Sequence, residues 1–248
     1  MSYIELIYGS GGYFLHFKFS GRIKEMFEFL SIVLILITLI MISRNVSKMV
    51  AGTAETQNKN RVVLDAGHGG DDPGKIGIND IYEKDINLAI AKKVKKRLEK
   101  ENIEVVMTRE KDEMLGSTGG EVTKVGDMKA RVAIVNKQMP AITVSIHQNS
   151  YPEEEISGAQ VFYYTHSSDG EHAAVIMQDA LLAADPENHR KAKANDTYYL
   201  LKRTKGTTII VECGFLSNQK EAELLGKEEY QDKIAQAIAD GILRYMEK

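Results

Sequence analysis

A single cysteine, Cys213, is present in the 248 residues of this chain. That scarcity excludes an internal disulfide and any cysteine-rich zinc site. An excess of basic charge is missing too. The formal net charge is −3, and residues 1–50 carry five basic and three acidic side chains, which leaves −5 on the remainder. Such a balance argues against a nucleic-acid-binding domain. Lys92, Lys93, Lys95, Lys96 and Arg97 do cluster, but on a predicted helix, where they read as a solvated face. Two hydrolase signatures are absent as well: no Gly-x-Ser-x-Gly elbow and no His-Glu-x-x-His helix occurs.

Long apolar runs are equally scarce. The one that stands out, residues 29–42, has 14 residues broken only by Ser31 and Thr38. A membrane-spanning helix needs about 20 residues, so the run is short for one. It fits a signal-peptide core or a short membrane anchor, with Arg22 and Lys24 as its basic flank. Ala51-Gly52-Thr53-Ala54 offers small residues for cleavage but lies far from the run, so cleavage and retention are equally compatible with it. The residues before Arg22 show little pattern, and Met26 is an alternative start. Residues 1–54 are therefore expected to be a signal peptide or membrane anchor with the start of a polar linker, and residues 61–248 the functional domain, exported across the cytoplasmic membrane.

From Arg61 onward, strand-like and helix-like apolar periodicities alternate. Strands are expected at residues 62–66, 103–107, 142–146, 158–164, 198–202 and 208–213, and helices at 85–99, 128–137, 171–184, 219–225 and 229–247. In the first helix Ile86, Ile90, Val94 and Leu98 recur at intervals of four and form one face. Alternation of this kind implies an α/β fold: a single three-layer αβα domain with a mainly parallel sheet. No internal repeat and no appended targeting module is visible. Residues 115–126 and 185–195 read as surface connectors.

Three of the strand-like runs end on chemistry. Val62-Val63-Leu64-Asp65-Ala66-Gly67 leads to His68, Ile142-Thr143-Val144-Ser145-Ile146 to His147, and Thr208-Ile209-Ile210-Val211 to Glu212. In open α/β sheets, residues beyond the carboxyl ends of strands meet in one crevice. His16 precedes the apolar run, and His166, His172 and His189 fall in polar loops or at a helix start, so His68 and His147 carry the weight. A catalytic zinc takes three protein ligands from His and Asp/Glu and leaves a position for water. The third ligand should be a carboxylate. Glu83, just before the first helix, is the preferred candidate; Asp85 competes but is placed to cap that helix. Zinc brings the pKa of its water to about 7, and Glu212 is placed to accept that proton and pass it to a leaving nitrogen. Its structural alternative is a buried ion pair with Arg109 or Arg131. Cys213, the neighbour of Glu212, should point to the other face of the sheet and pack as a thiol.

Six motifs occur in order: Leu64-Asp65-Ala66-Gly67-His68-Gly69-Gly70, Glu83-Lys84-Asp85-Ile86-Asn87-Leu88, Thr108-Arg109, Ser145-Ile146-His147-Gln148-Asn149-Ser150, Gly158-Ala159-Gln160-Val161-Phe162-Tyr163 and Val211-Glu212-Cys213-Gly214-Phe215-Leu216-Ser217-Asn218. Together they resemble the zinc-dependent amidase-3 family of N-acetylmuramoyl-L-alanine amidases, and within it the endospore branch. The resemblance implies Zn2+ held by His68, Glu83 and His147, with Glu212 as the catalytic glutamate. It implies hydrolysis of the amide between N-acetylmuramic acid and the L-alanine of the peptidoglycan stem peptide, in spore cortex, on the way to muramic-δ-lactam. An activating protein partner is a further implication. Gln148 departs from the small residue of many relatives and is expected to narrow the approach to the metal. A non-catalytic peptidoglycan-binding protein and a zinc peptidase acting within the stem peptide are the alternative readings.

Overall fold

The computed structural model describes residues 3–9, 12–18, 21–52, 57–116 and 122–247. The chain divides into two units, Met1–Glu55 and Thr56–Lys248. In the first, β1 (Tyr3–Gly9) and β2 (Gly12–Lys18) pair antiparallel, Tyr3 opposite Lys18 and Gly9 opposite Gly12, where the sequence showed little pattern. The helix α1 (Gly21–Gly52) follows. Its segment Gly21–Ile42 has 22 residues at a mean hydropathy of 2.4, long and apolar enough to cross a membrane. The 14-residue apolar run lies within this segment, whose length and composition suit a signal sequence as well as a membrane anchor. Apolar character extends N-terminally through Met26 and Phe27, and 22 helical residues reach roughly 33 Å against a hydrocarbon core of about 30 Å.

The second unit runs β3 (Asn58–Ala66), α2 (Glu83–Lys100), β4 (Glu104–Met107), α3 (Lys124–Gln138), β5 (Pro140–Asn149), β6 (Gln160–Tyr164), α4 (Ser168–Ala184), β7 (Lys193–Asn195), α5 (Tyr199–Arg203), β8 (Thr208–Phe215), α6 (Gln219–Leu225) and α7 (Glu228–Met246). Its six-stranded sheet has the order β4-β3-β5-β8-β6-β7. The first four strands are mutually parallel; β6 runs antiparallel to β8 and parallel to β7. The α/β class and the mainly parallel sheet are borne out, and the three strands that end on chemistry are the adjacent trio β3, β5 and β8.

Period-two alternation gives this sheet two different faces. Val62, Leu64, Ala66, Ile142, Val144, Ile146, Ile209, Val211 and Cys213 join the main apolar core with α2, α4, α6 and α7. Ile90, Val94 and Leu98 of α2 are wholly buried there, each contributing about 1.5–3 kcal/mol. The intervening residues Asp65, Ser145, His147 and Glu212 are set on the opposite face, where Ile210 packs with Phe162 and Leu201 of α5. One face holds the domain together, and the other is free to carry polar groups.

Two expectations are corrected here. Residues 198–202, read as a strand, form the start of α5 instead. The Asn195 Oδ1 accepts hydrogen bonds from the backbone N–H of Thr197 (2.8 Å) and Tyr198 (2.9 Å), a side-chain-built turn that starts a helix. A short apolar run cannot by itself distinguish the two. Asp85 does not cap α2 either: Tyr82 occupies that place without a side-chain bond, and Asp85 lies exposed inside the first turn. Elsewhere side-chain caps lengthen helices beyond their apolar pattern. Thr123 Oγ1 accepts from Gly126 N (3.1 Å) to begin α3, and Ser167 Oγ accepts from Gly170 N (2.9 Å) to begin α4.

Candidate metal centre

His68 follows β3 in a left-handed backbone conformation, φ 60°, a sparsely populated region for a non-glycine residue. Three contacts hold it there. Arg131 Nη2 donates to its carbonyl at 2.6 Å, its ring Nδ1 lies 2.7 Å from Asp72 Oδ2, and its Nε2 lies 3.2 Å from Glu83 Oε2. Lys124 Nζ lies 2.7 Å from the other Asp72 oxygen. His147 comes from β5, where its Nδ1 lies 2.9 Å from Glu83 Oε1. The two imidazoles meet edge to face, 4.9 Å between centroids. Two glycines make the approach feasible: a Cβ on Gly67 would overlap the His147 ring, and one on Gly74, itself at φ +68°, would stand 2.5 Å from Glu83 Oε2.

Glu83 is the first residue of α2, where the helix dipole favours a carboxylate. It is buried, and its Oε2 accepts from Lys75 N (2.8 Å) while Oε1 accepts from Gln148 N (3.1 Å) and Asn87 Nδ2 (3.3 Å). Burial alone would raise its pKa; hydrogen bonds from His147 and His68 outweigh this and hold the carboxyl far below its usual range. Burial likewise works to lower His147, and the Glu83 carboxylate wins, lifting the imidazole to about 9. The Gln148 amide turns to α2, its Nε2 donating to Asn87 Oδ1 at 3.1 Å, so the side chain expected to narrow the approach is tied behind Glu83.

His68, Glu83 and His147 thus each present a donor atom, and these lie within 4.8 Å of one another. Two imidazole nitrogens and a carboxylate are a donor set suited to zinc. The residues present fit the metal.

Glu212 sits in β8 opposite His147 in the strand register. It lines a cavity of about 420 Å³ together with all three cluster residues, Asp72, Lys124, Tyr198 and Tyr199. Among the described residues, no arginine pairs with it. Arg131 instead binds Asp65 Oδ1 (2.7 Å) and Asp127 Oδ2 (2.6 Å), and Arg109 binds carbonyl oxygens. The Glu212 Oε1 accepts from the Tyr198 hydroxyl at 3.4 Å, and its buried Oε2 has no partner among the described residues. Burial raises its pKa to about 7, with His147 pulling the other way. Burial and the neighbouring Glu212 charge also push the Tyr198 phenol well above its ordinary value.

The structure therefore brings together all four residues singled out from sequence. His166, His172 and His189 are exposed, and Cys213 is buried on the apolar face, as expected. Asp72, Asn87, Arg131 and Tyr198 were not singled out as parts of the site. The fixed spacing of Asp72 four residues after His68 is the one signal that could have found any of them.

An αβα domain with a His/Glu/His cluster at the carboxyl ends of its parallel strands belongs to the class of candidate metallohydrolases. The sequence profile of the amidase-3 family, described as N-acetylmuramoyl-L-alanine amidase, matches residues 62–244, and the chain is a member of that enzyme family. The germination-specific N-acetylmuramoyl-L-alanine amidase of Bacillus subtilis is 41% identical over 187 residues, covering 74% of this chain and 78% of that protein. The CwlD amidase from Clostridioides difficile, solved in complex with the GerS lipoprotein, has a TM-score of 0.72 at 38% identity, covering 75% of this chain and 98% of that one. The catalytic domain of CwlV from Bacillus (Paenibacillus) polymyxa var. colistinus has a TM-score of 0.66 at 33% identity, with coverage of 75% and 98%. The resemblance carried by the six motifs is borne out.

Proposed function

We propose that residues 61–248 form a zinc-dependent amidase that hydrolyses the bond between N-acetylmuramic acid and the L-alanine of the stem peptide, with His68, Glu83 and His147 as metal ligands and Glu212 as the catalytic residue. The observation that carries this reading is the His/Glu/His cluster within 4.8 Å, beside an under-bonded glutamate that lines the same cavity. A bound zinc would supply a Lewis acid for the scissile carbonyl and acidify a water molecule. Glu212 Oε2 takes the proton of the attacking water and delivers it to the departing alanine nitrogen. Tyr198 steadies the other oxygen through its 3.4 Å hydrogen bond. Asp72 fixes which His68 nitrogen faces the cluster. Hydrolysis leaves a free lactyl carboxylate on the muramic acid and a free amine on the peptide.

The 41% identical relative is named germination-specific, which supports spore cortex as the substrate and a role on the way to muramic-δ-lactam. The helix segment Gly21–Ile42 supports export, with residues 1–54 as signal or membrane anchor and the domain outside the cytoplasmic membrane. A lipoprotein partner is supported by the complex in which the Clostridioides difficile relative was solved.

Mass spectrometry of cortex fragments digested with the full chain, with and without added zinc, tests the bond. Free lactyl ends on glycans together with intact released stem peptides are expected. Shortened stem peptides would indicate a peptidase instead. Unchanged fragments from zinc-loaded protein would indicate a binding protein.

A further inference from the structure

The reaction assigns no task to the motif Thr108-Arg109. Arg109 is among the most deeply buried side chains of the domain, 2% exposed. Burying a guanidinium is costly unless its charge and donors are met. Arg131, equally buried, is met by two carboxylates at 2.7 and 2.6 Å. Arg109 is met differently: its four hydrogen bonds all end on backbone carbonyls. Nε donates to Ala66 O (2.9 Å), Nη1 to Lys111 O (3.1 Å), and Nη2 to both Gly67 O (2.9 Å) and Lys84 O (2.8 Å). Desolvation accordingly lowers its pKa.

The last pair is informative. Gly67 immediately precedes His68, and Lys84 immediately follows Glu83. A single nitrogen therefore joins the turn beyond β3 to the first turn of α2, the two segments that carry these side chains. Residues 67–82 between those segments form a loop with isolated bridges, Gly69 to Asp72 and Ile76 to Tyr82, and α2 is otherwise positioned by its apolar face against the sheet and by Glu83 N and Lys84 N donating to the Lys75 and Pro73 carbonyls. The rest of the planar guanidinium holds that nitrogen in place, Nε on Ala66 O and Nη1 on Lys111 O, anchorage that a single ammonium group lacks. Asn87 Nδ2 reinforces the joint by donating to the same Gly67 carbonyl at 3.1 Å and to Glu83 Oε1 at 3.3 Å.

We propose that Arg109 is a positioning residue for the metal centre, whose guanidinium sets the spacing between His68 and Glu83 by bridging the Gly67 and Lys84 carbonyls. The inference rests on those residues holding the metal. It gives the buried charge a task that a purely structural arginine would not have: the effect of losing it falls on cation affinity and geometry rather than only on folding.

The test uses the full chain and two probes, Zn2+ affinity by competition with a chromophoric chelator and the visible d–d spectrum of the Co2+-loaded protein. Arg109→Lys is expected to weaken Zn2+ binding about 10- to 100-fold, the effect typical of losing a group that orients a ligand, and to alter the Co2+ spectrum. Leu98→Ala, at the far end of α2 and in the apolar core, serves as a destabilised control and is expected to keep wild-type affinity and spectrum. Arg109→Gln, which keeps two donors without the charge, replaces the lysine variant if that does not fold. Wild-type affinity and spectrum in the folded Arg109 variant would overturn the proposal, as would an equal loss in Leu98→Ala. Failure of the wild-type protein to bind either ion would instead remove the metal-centre reading itself, and this inference with it.

Discussion

The Glu83 carboxylate has five polar neighbours at 2.8–3.3 Å, whereas the Glu212 carboxylate, lining the same cavity, has one at 3.4 Å and an oxygen with none among the described residues. The Glu83 wall extends the pattern outward: Asp72 backs His68, Asn87 backs Glu83, and two arginines hold the carbonyls of residues 66–68. The Glu212 wall is instead flanked by Tyr198, Tyr199, Leu200 and Ile210. In the proposed reaction Glu83 stays in place, and it is the one hydrogen-bonded on both oxygens. Glu212, which takes up and releases a proton, keeps a lone pair free and a pKa near neutrality, raised to about 7 by burial. The contrast matches the division between holding and reacting that the proposal assigns to the two glutamates.

Emptying the saturated wall should have the largest effect. His68→Ala and Glu83→Ala are each expected to abolish zinc retention and, with it, amidase activity, as read by metal analysis after gel filtration; full occupancy in either variant would break the contrast. Next comes the bare wall. Glu212→Gln should lower kcat about 10²- to 10⁴-fold while zinc content stays unchanged, and near-normal turnover in that variant would remove the proton-carrying role. One layer further back, Asp72→Asn should weaken zinc binding about 10- to 100-fold by loosening the His68 orientation, a change that chelator competition measures directly.

Two pH dependences sharpen the comparison at smaller cost. Glu212 must be ionised to accept a proton, so kcat should rise with pH on the acid side. Its raised value of about 7 is an upper limit for the midpoint, because a nearby cation favours the carboxylate. A midpoint well above 7 in a zinc-saturated pH profile would contradict the assignment. Asp65, behind the saturated wall, should affect stability. Burial would raise its pKa, but the Arg131 charge and a hydrogen bond from Ser145 bring it down to about 2 from 3.8. Because the folded value is the lower one, this stabilisation of about 2 kcal/mol is fully present above the unfolded value. It is lost as pH falls from 3.8 towards 2. Urea denaturation across that range should show the slope in the wild type and lose it in Asp65→Asn.

Legibility in the sequence followed the same division. The apolar runs of β3, β5 and β8 could be read because a strand buried on both faces is a strong pattern, and their terminal residues inherit its certainty. The sequence favours Glu83 over Asp85 on the expectation that Asp85 caps α2; Asp85 does not cap it, yet Glu83 is the one that reaches the cluster. The backing groups were harder to see. Asn87 and Arg131 lie on helices whose apolar spacing shows where a side chain faces but not which carbonyl or carboxylate it meets. The start of α5 depends on a turn built by the Asn195 side chain, and no apolar period records such a turn.

His147 and Glu212 stand opposite one another on neighbouring strands, and Glu212 has the buried, core-facing Val211 and Cys213 on either side of it. A slip of one residue in β8 would turn Glu212 into the apolar core and place Val211 or Cys213 at the cluster. Turnover would then be a property of correctly paired molecules alone. Amidase activity per bound zinc in a refolded preparation would count the chains whose strands have found their register, even where secondary-structure content cannot tell them from the rest.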